Sequence, residues 1–486
     1  MAPALEKVAT NVSISKDLES VSVNKVGGLE FARDEERRLV RKMDVRILPP
    51  LAFIGNVGNA KTDGWDKDTG LTGNQYYILV MVFYVPFCLF GTPISLLVKR
   101  FTAARVLPIL MLGYGSMGLC TAAAKNFSEI FVLRWFLGTF ESAMLPGVVF
   151  YLSTFYKRDE LASRIGIFYA ASSISGAFSG LIAFGVFQIK NSKYHGWQYL
   201  FWIEGASTIV FSAFAYFWLP RTAATARFFN PREKAIAKSR ILSDSSTATD
   251  SKLSFRDAFR PFRDWRYLIW AFISLCLGVP LASVNNFLPQ IVASLGYSTV
   301  KTNLFTVAPN IAGTVVLLIL TFSSDYWRER SIHICVPLAI TLVGFIILGT
   351  IDVLAHRNTA YFACFLLCMG ASAPSVLTSS WYSNNTTNES GRAVVAAVMV
   401  GIANASGLIS TNVFRAQDAP KYLPALITSA CFGAVCILLV ASLGTYMRLE
   451  NRRRDRVQGV TLTSAQVDTE ALGQDGSRSP LFRYMY

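Results

Sequence analysis

The stretch YYILVMVFYVPFCLFGTPISLLVKR, Tyr76 to Arg100, decides how this chain is read. From Tyr76 to Val98 it holds no Asp, Glu, Lys or Arg, and Lys99 with Arg100 closes it. A helix rises about 1.5 Å per residue, so an apolar run of this length crosses a hydrocarbon core of about 30 Å. Ten further stretches of comparable length follow, near 106–124, 130–151, 165–187, 197–219, 267–292, 304–322, 334–351, 361–381, 393–412 and 422–446. A twelfth stands in front of the series, from Ile47 to about Gly58, broken by Pro49 and Pro50. Its dozen or so residues reach only about 18 Å.

The composition agrees with an all-α integral membrane protein: 52% of residues are hydrophobic and 16% charged, with a mean hydropathy of +0.39. A water-soluble fold of this length rarely tolerates that balance. The polar residues collect in short loops, two tails and one central segment. This predicts a cytosolic disordered tail over 1–46, a six-helix bundle over 47–220, a cytosolic loop over 221–266, a second six-helix bundle over 267–447 and a cytosolic tail over 448–486. No secretory signal is visible in the polar first 46 residues.

A net charge of +15 suggests nucleic acid until the positions of the basic residues are read. They cluster before the first stretch (Arg37, Arg38, Arg41, Lys42, Arg46) and then after every second one, for example Lys99, Arg100 and Arg105, or Arg448, Arg452, Arg453 and Arg454. Alternation of this kind encodes orientation, with both termini in the cytosol, and excludes nucleic acid as the partner. It also requires an even number of crossings, which only the truncated stretch completes. The eight cysteines all lie within or at the ends of apolar stretches and read as small buried hydrophobes. His195, His333 and His356 fall at stretch ends or in loops, so the His cluster wanted by a membrane-embedded metalloenzyme is missing from the pattern. No cofactor, metal or catalytic residue is expected, and the expected assembly is a monomer in a lipid bilayer.

Charged residues inside apolar stretches are the first functional candidates, because a charge at mid-membrane costs about 2.5–3.5 kcal/mol. Arg134 and Glu141 share the fourth stretch, two helical turns apart and so on nearly one face. A cation and an acid so placed suit binding of an anion with exchange of a proton. The alternative is structural: Arg134 snorkels to a helix end and Glu141 pairs with it. Glu204, near the start of its stretch, is read as structural. Tyr84, Asn285, Asn286, Asn310, Trp381 and Asn404 are candidates for the wall of a central cavity, with interhelical hydrogen bonding, or interfacial anchoring for Trp381, as the alternative. Gly113, Gly115 and Gly118 read as close helix packing.

The central basic segment divides the stretches into two sets of six, and the two sets echo each other weakly in GTPISLLVKRFTAAR from Gly91 and SSDYWRER from Ser323. Paired halves suit a transporter that rocks two bundles about a central site. The segments GNAKTDGWDKDTGLTGNQY from Gly58, RWFLGTFESAMLPG from Arg134, GWQYLFWIEG from Gly196, FLPQIVASLGYS from Phe287 and WYSNNTTNESGRA from Trp381 extend this to a family. In order and spacing they resemble the major facilitator superfamily, and within it the fungal allantoate and nicotinate permeases of the anion:cation symporter family. The resemblance implies proton-coupled symport of a small organic anion: a carboxylate, vitamin or ureide such as nicotinate or allantoate. It implies carboxylate recognition by Arg134 and proton coupling by Glu141. It also implies charge-relay contacts among Lys99, Arg105, Asp325, Arg328 and Arg330 at the cytosolic helix ends, where plain orientation signals are the alternative. The lack of an organelle presequence points to the plasma membrane.

One departure stands out. PPLAFI runs directly into GNVGNAK, so about ten residues are absent where the family carries a longer first helix with an Asp-Arg pair. That pair resembles a second proton site and a second anion-binding cation. Its loss keeps open a transport-inactive paralogue or nutrient sensor.

Overall fold

Backbone N–H and C=O groups in lipid have no water partner, so an apolar run must satisfy them along its own helix. All eleven full-length stretches are helical in the computed structural model, which describes residues 23–26, 29–47, 65–72, 74–157, 160–189, 193–244, 259–297, 299–386, 389–418, 421–459, 479–480 and 482–486. A small antiparallel hairpin, β1 (Val23–Val26) and β2 (Leu29–Ala32), leads into α1 (Arg33–Ile47) and the short α2 (Trp65–Asp68). The first half holds α3 (Gln75–Phe101), α4 (Ala103–Thr121), α5 (Phe127–Glu141), α6 (Met144–Ser153), α7 (Leu161–Val186) and α8 (Gly196–Trp218). After α9 (Pro231–Asp244) the second half holds α10 (Trp265–Ala293), α11 (Thr299–Trp327), α12 (Ser331–Thr350), α13 (Arg357–Ala371), α14 (Ala373–Asn384), α15 (Glu389–Val413) and α16 (Leu423–Gln458). Ten spans among the described residues are long and apolar enough to cross a membrane, and the 26-residue α7 occupies the one remaining full-length stretch, near 165–187. Leu89, Val210, Phe217, Ile319 and Leu438 are each more than half exposed on the outer surface, as lipid-facing side chains are. The truncated stretch lies, beyond Ile47, outside the described residues.

Each half interrupts one helix at the corresponding place, the fourth and the tenth of the series. Pro146 lacks the N–H that would bond the Ser142 carbonyl, and α5 gives way to α6 at Ser142 and Ala143. Pro374 likewise leaves the Gly370 carbonyl without its helical donor, and α13 gives way to α14 at Ser372. The halves meet mainly where α7 lies along α11 and α3 along α15.

The expected disordered tail is corrected by α1. Its Leu39, Val40, Met43 and Ile47 share one face and are buried against the first half. Its polar face is held by ions: Glu36 accepts from Lys157 at 2.6 Å and Arg240 at 2.7 Å, Asp44 from Arg164 at 3.1 Å, and Lys42 donates to Glu233 at 2.8 Å. Burial pushes the Glu36 carboxyl up, but hydrogen bonds from Lys157 and Arg240 outweigh it and hold it below its ordinary range. The central segment is also only partly a loop, since Arg240 on α9 is buried in this network.

The second tail is corrected in the same way. Glu450 pairs with Arg453 and Arg454, three and four residues on, and α16 continues past the apolar stretch to Gln458. Residues 482–486 then fold back under the second half, with Phe482, Arg483, Tyr484 and Met485 buried. The Met485 carbonyl accepts from Trp381 Nε1 at 2.9 Å and Asn385 Nδ2 at 2.8 Å, and the Arg330 N–H donates to the Tyr486 carbonyl at 2.7 Å. With α1 and α9, this segment marks one end of the molecule, the basic face.

Candidate substrate-binding site

Between the halves lies a cavity of about 420 Å³, within the size range of small-molecule sites. The interrupted helices flank it: Arg134, Glu141, Met144 and Leu145 line it from α5 and α6, and Cys368, Ala371, Ser372 and Ser375 from α13 through α14. Its wall is rich in rings, including Tyr76, Phe83, Tyr84, Tyr114, Tyr169 and Phe201. The halves are tied across it by Asn286 Nδ2 donating to Tyr84 Oη at 2.6 Å and by Tyr169 Oη and Ser375 Oγ at 3.1 Å. Tyr77 stacks on Phe287, and Phe287 on Phe414 with ring centroids 4.0 Å apart, which adds an aromatic contact between the halves.

Arg134 is 7% exposed, and its guanidinium sits 5.9 Å from the Trp65 ring centroid, a cation–π distance. Among the described residues it has no ion-pair partner within 4.0 Å, and its buried Nε has no hydrogen bond. Glu141 likewise has no ion pair or hydrogen bond among the described residues. The structural alternative, an Arg134–Glu141 pair, is not formed.

Seven of the residues expected from the sequence therefore line one cavity: Arg134, Glu141, Tyr84, Asn285, Asn286, Asn310 and Asn404. Asn310 and Asn404 each spend one N–H on the carbonyl four residues back, Thr306 at 3.0 Å and Val400 at 2.9 Å. Trp381 is a correction. It is fully buried behind the cavity, its indole N–H taken by Met485, because the returning segment 482–486 supplies an acceptor that no local reading of the stretch reveals. Gly115 and Gly113 do pack closely, since a Cβ on either would come within 2.9 Å of Thr208 and 2.6 Å of Phe140. Gly118 instead faces open space on the cavity wall.

The relay residues divide. Asp325 Oδ1 pairs with the fully buried Arg330 at 2.6 Å, and its Oδ2 accepts the Ser163 N–H at 2.7 Å from the start of α7, so this carboxylate bridges the halves at the basic face. Arg105 is exposed and makes no ion pair among the described residues, a correction to its place in a relay. Lys99 and Arg328 lie at the same ends of α3 and α11 as the sequence placed them.

Glu204 is the residue that sequence reasoning undervalued. It lines the cavity from α8, its carboxylate accepting a hydrogen bond from Ser179 Oγ of α7. The signal was present: an acid inside an apolar stretch is a functional candidate by default. Pro146 and Pro374 were a second signal, since paired interruptions in two halves point to a binding site.

A two-half, all-helical membrane fold around a polar-spotted central cavity is the architecture of a transporter. The profile of the Major Facilitator Superfamily matches residues 51–411, and the chain belongs to that family. It is therefore a multi-pass membrane transporter of small molecules, not an enzyme by family. It is 52% identical over 457 residues to an uncharacterized transporter of Schizosaccharomyces pombe, covering 92% of this chain and 90% of that one. The major facilitator-type transporter hxnP of Emericella nidulans is 44% identical, with 93% of each chain covered. The high-affinity nicotinic acid transporter of Saccharomyces cerevisiae is 29% identical over 93% of this chain and 85% of its own. Among solved structures, a bacterial homologue of the human lysosomal transporter Spinster, inward-facing and unoccupied, superposes with a TM-score of 0.55 at 13% identity, covering 85% of this chain and 97% of that one.

Proposed function

We propose that the chain is a proton-coupled symporter of a small organic monoanion, in which Arg134 binds the carboxylate and Glu141 binds the coupled proton. The observation that carries this is the buried guanidinium on the cavity wall, which has no ion-pair partner among the described residues. An anionic ligand relieves its desolvation, and a planar guanidinium holds a carboxylate with two parallel hydrogen bonds. The ring-rich wall suits a flat ligand, and the nicotinic acid transporter among the relatives makes nicotinate the first probe. Glu141 lies two turns further along α5, at the break.

The positive-inside pattern supports a cytosolic basic face, and we place the chain in the plasma membrane as a monomer, with the two bundles at 47–220 and 267–447. Binding and uptake of radiolabelled nicotinate by purified protein in proteoliposomes test the assignment. Wild type is expected to accumulate the anion in an inward proton gradient, Arg134→Ala to lose binding, and Arg134→Lys to recover little of it. Full uptake by a folded Arg134→Ala protein refutes the role. Tight binding without movement in any gradient favours the sensor reading left open by the shortened first stretch.

A further inference from the structure

We propose that Trp65 is a positioning residue of the anion site: its ring orients the Arg134 guanidinium toward the cavity and holds it ready for a carboxylate. The inference rests on the anion-symport reading above. Trp65 opens α2 and is 1% exposed. It backs three residues that line the cavity from three different helices. The guanidinium carbon of Arg134, on α5, lies over its ring 5.9 Å from the centroid, and the rings of Tyr76 on α3 and Phe201 on α8 meet it edge-on at 6.3 and 5.9 Å. One side chain therefore sets the place of the cation and of two rings of the wall.

The chemistry suits an anion site. An aromatic face attracts a cation through its quadrupole and carries no net charge to neutralise it. A carboxylate in the same place would also hold the guanidinium, but it would compete with the incoming anion for it. A guanidinium held over a ring keeps the N–H groups along its edge for the two parallel bonds that a carboxylate accepts. Fixing it before the ligand arrives also removes an ordering cost from binding. Trp65 has a firm seat of its own. Three residues on, Asp68 Oδ2 accepts from Trp197 Nε1 at 2.8 Å and lies 3.1 Å from His195 Nδ1, which fastens α2 to the start of α8. The helices that Trp65 touches, α3, α5 and α8, all belong to the first half. Trp65 thus travels with Arg134 and stays behind it as the halves rock.

Two measurements on the full-length protein decide it. In proteoliposomes with nicotinate as probe, Trp65→Leu should raise KM about tenfold and leave kcat within about twofold, the loss expected when a desolvated cation–π contact is removed. Trp65→Phe, which keeps a weaker aromatic face, should recover most of the affinity. An unchanged KM in folded Trp65→Leu protein, a fall in kcat alone, or no recovery with Trp65→Phe overturns the proposal. If Trp65→Leu does not fold, Asp68→Ala takes its place: loosening the seat should raise KM about threefold, Asp68→Asn, which keeps an acceptor for Trp197, should not, and equal KM values in the two overturn the proposal. The second measurement needs no substrate. Phenylglyoxal condenses with guanidinium groups, and peptide mass spectrometry locates the adduct. Arg134 should be modified several-fold faster in Trp65→Leu than in wild type or Trp65→Phe, and equal rates in all three overturn the proposal. If wild type neither binds nor moves nicotinate, it is the nicotinate assignment that fails, and the phenylglyoxal result alone decides Trp65.

Discussion

Gly407→Ala is the sharpest test of how the halves meet. Gly407 sits on α15 with the ring of Tyr84 from α3 laid over it, and an added Cβ would fall 2.5 Å from both Cε1 and Cε2 of that ring. Ordinary contact needs about 3.4–4 Å, so the ring must retreat by about 1 Å. It has little freedom to do so, because its hydroxyl accepts from Asn286 Nδ2 at 2.6 Å on the other half. Overpacking a fitted contact costs about 1–3 kcal/mol. Here the cost falls on the contact between halves and not on either bundle, so it shifts the population toward separated α3 and α15 by about 5- to 150-fold. Cys88 reports the shift. It lies one turn beyond Tyr84 and its Sγ donates to the Gly401 carbonyl of α15 at 3.3 Å. Its rate of alkylation by N-ethylmaleimide, read by peptide mass spectrometry, should rise by that factor in Gly407→Ala. Adding Tyr84→Ala, which removes the ring, should return the rate toward wild type. An unchanged Cys88 rate in folded Gly407→Ala protein, or no relief in the double variant, would show that the α3–α15 contact is not what holds the halves together.

Other consequences are equally direct. Trp381→Phe leaves the Met485 carbonyl short of a buried donor, at a cost of about 1–3 kcal/mol, and should expose Arg483 to trypsin at lower enzyme concentration than wild type. Equal resistance would mean the segment 482–486 is held without that bond. Glu329, between α11 and α12, is pushed up by burial, but hydrogen bonds from His333, Ser331 and the Ile332 N–H outweigh this and bring its carboxyl to about 2. A carboxyl lowered in the folded state stabilises fully above its unfolded value near 4.5 and loses that contribution as pH falls toward 2. Glu329→Gln should therefore lower the melting temperature at pH 7 and flatten its decline between pH 5 and 2, and a parallel decline in both proteins contradicts the assignment.

Much of this protein was legible in one dimension. Apolar length alone locates eleven helices, since lipid leaves a spanning chain no other way to satisfy its backbone. The cost of charge in lipid singled out Arg134 and Glu141 before any geometry was known, and the same rule applied evenly would have raised Glu204. The polar tails were misread because hydropathy averages over a helix. The α1 helix buries only a four-residue face and satisfies the rest with ions from α9 and from the start of α7, partners more than a hundred residues away.

What the sequence by itself determined is whatever depends on a residue's own transfer from water: which stretches enter lipid, which loops stay out, and which buried charges demand a purpose. Tertiary structure alone decided which side chains share the cavity. It left Arg134 unpaired among the described residues while giving Asp325 two partners, and it turned Trp381 from the cavity to a carbonyl at the far end of the chain. The reason is that a hydrogen bond or ion pair is a property of two groups at a distance of about 3 Å, and that distance is set by how helices pack, not by either group's position along the chain.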